Sequence, residues 1–100
     1  MKKTVKVTPF WQEDNYEANY GRTYSEYNCE ICGRKLNPKT MKWVQMLECG
    51  YWTLEEREVK EVADDFGRSQ GCFCVGPKCY AEIRRRIAAS TETRDIIIND

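Results

Sequence analysis

The residues of this chain that could carry chemistry are its six cysteines. Cys29 and Cys32 form a C-x-x-C pair followed by Gly33, and the stretch GCFCVGPKC, residues 71–79, contains three more thiols. Thiols at this density bind a metal, form disulfides or take part in a redox reaction. The C-x-x-C pair lies outside a thioredoxin-like strand-to-helix context, so the pattern disfavours the redox role.

The beginning of the chain favours a metal over disulfides. The stretch MKKTVKVTPFW is basic but has no apolar run behind it, unlike a signal peptide, and no segment approaches the ~20 apolar residues of a membrane span. We therefore expect a cytoplasmic protein without a membrane partner. In a reducing compartment six cysteines indicate metal binding, although their even number would also fit three disulfides.

We predict a zinc ion held by cysteines, because the chain contains no histidine. Two residues between Cys29 and Cys32 let one tight turn aim both sulfurs at one ion, and Gly33 lets the backbone reverse. Cys79 follows a Gly-Pro pair at the start of a predicted helix, where backbone N–H groups favour a thiolate. With Cys74 as the nearest remaining thiol, the predicted ligands are Cys29, Cys32, Cys74 and Cys79.

The fourth ligand has alternatives, and the site is predicted to be structural. Cys72 lies on the same strand face as Cys74 and is its leading substitute, with Cys49 as a further one. Cys49 and Cys72 are the two thiols that the predicted ligand set leaves over, and we interpret them as core residues. A catalytic zinc keeps an open position beside a proton-handling side chain, whereas full cysteine ligation lowers Lewis acidity. We therefore predict a structural Zn²⁺ and no enzymatic activity.

Several strands are predicted from the alternation of apolar and polar residues. Residues 2–8 form one strand, and residues 41–52 are strand-like with a bulge or hairpin turn at Gly50. Residues 68–75 form a loop that enters a short strand. The segment before Cys29 is either helical or irregular, because four tyrosines recur at helical spacing among poor helix formers: Tyr16, Tyr20, Tyr24 and Tyr27.

Two helices are predicted in the second half of the chain. From Thr53 to Phe66 apolar residues recur at three- and four-residue steps, and Thr53 with Glu56 forms a capping-box pattern. The last helix begins at Pro77, whose missing N–H suits the first helical position. Its inward stripe is Tyr80, Ile83 and Ile87. The isoleucine-rich tail is expected to add an edge strand or to dock on the domain.

These elements predict an α+β fold: a small zinc-stabilised, treble-clef-like domain with a short antiparallel sheet and a C-terminal helix. One hundred residues without a repeat or a linker indicate one domain, 1–100. Within it, residues 1–27 form an N-terminal strand and an aromatic-rich extension. Residues 28–90 form the zinc-binding core, and residues 91–100 form a tail.

Three stretches of the chain, CEICGRKL, KWVQML and SQGCFCVGPKCYAEI, resemble a group of small bacterial, phage and mobile-element proteins. Their pattern is C-x-x-C-G-[RK]-x-L, a Trp-Val strand, and G-x-F-x-[IV]-G-x-x-C before a helix. The resemblance covers residues 28–87 and implies metal ligation by Cys29, Cys32 and Cys79. The chain departs from it at Cys74, often Pro or Gly in such proteins, and at Gln45, where a histidine can follow the Trp-Val pair.

Sixteen basic and sixteen acidic residues give the chain no net charge that would favour nucleic acid or a membrane. Any preference for a partner must therefore come from a local group of charges, and two such groups are present. The last helix carries a basic group that predicts a nucleic-acid interface: Lys78, Arg84, Arg85 and Arg86. Lys2, Lys3 and Lys6 could add charge, and Trp11 or the tyrosines could stack on bases. The competing interpretation is a solvated helix face, because three consecutive arginines span most of a helix circumference.

The function predicted is therefore a non-enzymatic, nucleic-acid-binding accessory factor of phage or mobile-element type. The alternative is a protein-interaction module or inhibitor that binds a host protein through the predicted acidic helix, residues 55–65.

Overall fold

The computed structural model describes residues 1–63 and 67–98. In this part of the chain the elements are β1 (Lys2–Pro9), α1 (Tyr16–Thr23), β2 (Lys42–Leu47), β3 (Tyr51–Thr53), β4 (Val59–Val62), β5 (Ser69–Val75), α2 (Pro77–Ala89) and β6 (Thr93–Ile98). The strands pair antiparallel in one sheet of order β4-β6-β1-β3-β2-β5. The predicted α+β class with an antiparallel sheet is confirmed, whereas the treble-clef assignment stays a prediction.

The sheet carries an apolar cluster on each of its faces. The sheet is curled, as shown by the contact between its two edge strands, β4 and β5. One face carries the cluster Val7, Leu47, Val59, Val62, Ile96 and Ile98. On the opposite face α2 buries Ile83 and Ile87 against Val44, Met46 and Trp52. This second cluster continues into the cysteine-bearing segment, so the core and the candidate site share one packing unit.

The helix predicted over residues 53–66 is wrong where the structure describes it. Thr53 ends β3, and residues 59–62 are a strand; residues 64–66 lie outside the described part of the chain. The Thr53 hydroxyl accepts from the N–H of Glu55 at 3.2 Å, which makes a short turn instead of a helix cap. Val59 and Val62 are buried because they pack against β6, a distant element that the helical pattern ignores.

The predicted acidic helix over 55–65 is therefore also wrong within its described residues. Glu55 is held in a loop by Lys3 and Arg57, and Leu54, one of the apolar residues of the expected helical pattern, is exposed. The alternative function, binding of a host protein, stays a prediction, without the helix through which it was expected to act.

The other elements agree with the sequence in most places. β1 and α2 begin and end close to their predicted residues, and Gly50, at φ 88°, turns the chain between β2 and β3. The tyrosine-rich segment is helical over α1, which contains Tyr16 and Tyr20, and irregular at Tyr24 and Tyr27. The tail adds a strand, β6, but it lies between β4 and β1 and is not an edge strand.

Neither helix in the described part of the chain is long and apolar enough to cross a membrane.

Candidate metal centre

The first part of the site is a short hairpin, residues 27–36, which we call the knuckle hairpin. Its two arms are joined by N–H to carbonyl hydrogen bonds from Cys29 to Arg34 and from Leu36 to Tyr27, each 2.9 Å long. At its tip the N–H of Gly33 donates to the carbonyl of Cys29 at 2.9 Å, and Gly33 adopts a positive φ of 77°. The C-x-x-C-G sequence produces this turn locally, because glycine accepts that backbone conformation without strain.

The N-terminal extension holds the knuckle hairpin in place. Asn19 on α1 donates from its side-chain amide to the carbonyl of Cys32 at 2.9 Å. The backbone N–H of Glu13 donates to the carbonyl of Ile31 at 2.9 Å, and the Gln12 side chain donates to the carbonyl of Glu30 at 3.1 Å. Sequence reasoning missed these supporting residues, because a contact between distant polar side chains and a backbone leaves no periodic signal.

The second part of the site is the beginning of α2. Gly76 is extended, Pro77 occupies the first turn, and the N–H of Tyr80 donates to the carbonyl of Gly76 at 2.8 Å. Cys79 therefore lies in the first helical turn, as predicted from the Gly-Pro pair. Ile83 and Ile87 fix the helix against the sheet and so set the position of the Cys79 sulfur.

The structure brings Cys29, Cys32 and Cys79 together. Their sulfur atoms all lie within 4.8 Å of one another. In a tetrahedral zinc site with Zn–S bonds of ~2.3 Å the sulfurs are roughly 3.8 Å apart, so small side-chain adjustments suffice to bind one ion. Cys29 is fully buried, whereas Cys32 and Cys79 are half-buried. The arrangement can therefore hold a metal ion through three sulfur ligands.

The surroundings of Cys29 favour a thiolate. The backbone N–H groups of Ile31 and Gly76 lie 3.4 and 3.5 Å from its sulfur and point towards it. A hydrogen bond from the Cys79 thiol, followed by these backbone donors, lowers the pKa of Cys29 to about 5 despite its burial. The same hydrogen bond raises the pKa of Cys79, and burial raises the pKa of Cys32. A metal ion bound by all three sulfurs would displace the protons of Cys32 and Cys79, because cysteine binds metals as the thiolate.

Cys74 lies next to this group without joining it. Its sulfur is 3.4 Å from the carbonyl oxygen of Asn28, the residue before Cys29. The N–H of Glu30 donates to the carbonyl of Cys74 at 3.0 Å and ties β5 to the knuckle hairpin. Burial raises the pKa of the Cys74 thiol. Of the four predicted ligands, the structure thus gathers three and leaves the fourth as a neighbour.

The remaining two cysteines have different environments. Cys49 is half-buried against the cluster on the other face of the sheet, consistent with its interpretation as a core residue. Cys72 is exposed and lines a groove with Gln45 and Glu56, so its interpretation as a core residue is wrong.

Gln45 stands where the pattern described in the sequence analysis can have a histidine, and its side chain stabilises a loop. It is buried, and its side-chain amide donates to the carbonyls of Glu55 and Arg57 at 2.7 and 2.9 Å. Its side-chain oxygen accepts from the N–H of Val59 at 3.0 Å. Gln45 therefore anchors the loop between β3 and β4 and is committed to that loop.

The three arginines predicted on α2 as part of a nucleic-acid interface contact other side chains of the domain. Arg85 and Arg86 donate hydrogen bonds from their guanidinium groups to the carboxylate of Glu82, at 2.9 and 3.0 Å. Arg86 also lies over the ring of Trp11, with 3.8 Å between the guanidinium carbon and the ring centroid. Arg84 turns towards Tyr80, at 5.9 Å. Two of the three arginines are therefore already paired, and Trp11 is covered.

Comparison of the chain with protein-family descriptions, curated proteins and solved structures found no match.

Proposed function

We propose that the cysteine group holds a structural zinc ion and that Cys74 supplies the fourth ligand. The observation that carries this proposal is the convergence of Cys29, Cys32 and Cys79 from two distant segments to within 4.8 Å. Zinc suits this donor set, because it prefers four tetrahedral nitrogen or sulfur ligands and the chain has no histidine. Cys74 is the best placed fourth donor, because its strand is hydrogen-bonded to the knuckle hairpin.

The ion would act by joining the knuckle hairpin to α2. When bound, it supplies cohesion between segments that otherwise meet through a small apolar cluster. The N–H groups of Ile31 and Gly76 would orient and stabilise the Cys29 sulfur, as second-layer donors do around metal ligands. A closed set of four thiolates leaves no open position, so we propose a non-catalytic role.

We further propose that the domain works as a nucleic-acid-binding accessory factor. Its overall charge is zero, but residues 31–47 contain four basic residues and no acidic one. This stretch begins in the knuckle hairpin and ends in β2, so the metal centre would hold a locally positive surface in shape. Local positive charge of this kind is the usual electrostatic footprint of phosphate binding.

Metal analysis of the native protein tests the first proposal. We expect one zinc per chain, and two alkylated thiols while the metal is bound, with the exposed Cys72 reacting first. Chelation should unfold the domain, because metal-binding energy in small sites is largely folding energy. Three alkylated thiols with one zinc would exclude Cys74 as a ligand, and metal-free folded protein would refute the site.

A matched pair of variants identifies the fourth ligand. Cys74→Ser should lose zinc to a chelator faster than the wild type, whereas Cys49→Ser, a half-buried cysteine against the other cluster, should not. Equal retention in both variants would refute the assignment of Cys74.

Salt-dependent binding tests the nucleic-acid role. The wild-type, metal-loaded protein should bind a fluorescently labelled 20-nucleotide DNA or RNA at low salt and release it as salt rises. Absence of binding at 20 mM salt would refute this role and leave the metal site untouched.

A further inference from the structure

Four exposed basic residues follow the C-x-x-C pair of the candidate metal centre. Arg34 and Lys35 follow the C-x-x-C pair, Lys39 lies in the turn that begins at Asn37, and Lys42 begins β2. All four side chains are exposed, and none forms an ion pair with an acidic residue in the ranges 1–63 and 67–98. We call these four residues the basic arm.

The basic arm extends to the beginning of α2. Lys42 pairs in register with Val75 across β2 and β5, and α2 begins two residues after Val75. Lys78 is exposed in the first turn of that helix and so continues the same positive region. By contrast, Glu82 already pairs with Arg85 and Arg86 further along α2. A phosphate would have to displace that carboxylate before it could use these two arginines.

An exposed aromatic ring adjoins the basic arm. Trp43 is 54% exposed, which is high for so large an apolar side chain, and on β2 it leaves the opposite face from Lys42. The Tyr27 ring meets it edge-on, with 6.2 Å between the ring centroids, and so supports it from one side. Tyr27 accepts a hydrogen bond from Leu36, the residue after Lys35, so the Trp43 ring lies against the knuckle hairpin that carries Arg34 and Lys35. A groove that Trp43 also lines carries Glu56 and Glu55, and the Glu55 carboxylate is paired with Lys3 and Arg57.

We propose that single-stranded nucleic acid binds along the basic arm with one base stacked on Trp43. This inference rests on the proposed nucleic-acid role and assigns it a surface. A ring next to a line of cations is the combination that binds unpaired strands, because every base has a face for stacking and each phosphate finds a cation. A base within a duplex is already stacked on its neighbours and does not offer that face.

The test compares basic-arm variants with α2 variants in anisotropy titrations of labelled oligo-dT of 20 nucleotides, at 20 to 200 mM salt. Each phosphate contact on a single strand contributes ~0.7 to the slope of log K against log salt. Lys39→Gln with Lys42→Gln should therefore lower the magnitude of that slope by about 1.4. The matched pair Arg84→Gln with Arg85→Gln, also two exposed cations, should leave it unchanged.

The stacking contact is tested separately. Trp43→Ala should weaken oligo-dT binding at least about fivefold at every salt concentration and keep the salt slope, because stacking carries no charge. A 20-base-pair duplex should bind more weakly than oligo-dT. Zinc content and thermal melting of every variant serve as the folding control, and Arg34→Gln with Lys35→Gln replaces the Lys39 and Lys42 pair if that pair fails it.

The outcomes separate this inference from the proposed function. If wild-type protein binds and only the α2 pair lowers the slope, the basic arm is wrong and the nucleic-acid role survives. If the duplex binds more tightly than oligo-dT, or Trp43→Ala binds like the wild type, the single-strand assignment is wrong. If the wild type binds neither oligo-dT nor the duplex, the proposed nucleic-acid role is refuted, and so is this inference, which depends on it.

Discussion

Replacing Gln45 by leucine tests whether one buried side chain holds the loop between β3 and β4. The substitution keeps a similar volume but removes three hydrogen bonds, to the carbonyls of Glu55 and Arg57 and from the N–H of Val59. Each bond contributes about 1 kcal/mol, and a buried group left without a partner costs about 1–3 kcal/mol. We therefore expect a loss of about 3 kcal/mol in the free energy of unfolding.

That loss would be a large fraction of the stability of a domain of this size, which is typically about 5–15 kcal/mol. It corresponds to a decrease of roughly 10–20 °C in Tm. Urea unfolding of the zinc-saturated protein, followed by circular dichroism, measures it directly. Zinc content should not change, because the three side-chain hydrogen bonds of Gln45 join it to Glu55, Arg57 and Val59 and not to a predicted zinc ligand.

The matched control is Gln70→Leu, a glutamine exposed on the neighbouring strand β5. Its effect should stay within about 0.5 kcal/mol, as for most surface substitutions. If Gln45→Leu also stays within that range, water or the backbone satisfies the loop without Gln45, and the reasoning is refuted.

Two further predictions concern the knuckle hairpin and the loop carboxylate. Gly33→Ala should destabilise the metal-loaded protein by about 2 kcal/mol or more in thermal denaturation. The new methyl group would clash with the backbone carbonyl of Tyr16, and the positive φ of residue 33 is unfavourable for alanine. A Tm equal to that of the wild type would contradict this prediction. Lys3, and then Arg57, lower the pKa of Glu55 from 4.5 to about 2. Because the folded state holds this carboxylate more tightly in its charged form, the stabilisation is present above about pH 4.5 and is lost as the pH falls towards 2. At pH 6 the free energy of unfolding of the wild type should exceed that of Glu55→Gln by about 1 kcal/mol, a modest value because both cations are partly exposed. Urea titrations of the two proteins should show this difference decreasing as the pH falls. A difference that does not vary with pH would refute the ion pairing.

Local sequence determined those parts of the site that a few consecutive residues can specify. The turn at Cys29–Gly33 needs only the C-x-x-C-G order and a glycine that tolerates positive φ. The helix at Pro77 needs only a proline in its first turn and the apolar spacing behind it. For this reason three of the four predicted zinc ligands could be chosen before the structure showed their sulfurs close together.

Long-range packing decided the rest. Residues 53–62 have a helical apolar spacing, but Val59 and Val62 pack against Ile96 and Ile98, and that burial overrides the local preference. The position of Cys74 beside Asn28, and not among the other sulfurs, depends on how β5 meets the knuckle hairpin. Pairing of Glu82 with Arg85 and Arg86, and the exposure of Trp43, depend in the same way on side chains meeting in space. Periodicity along a chain records which face of an element is apolar, whereas the partner of that face is chosen only when distant segments compete for the same core.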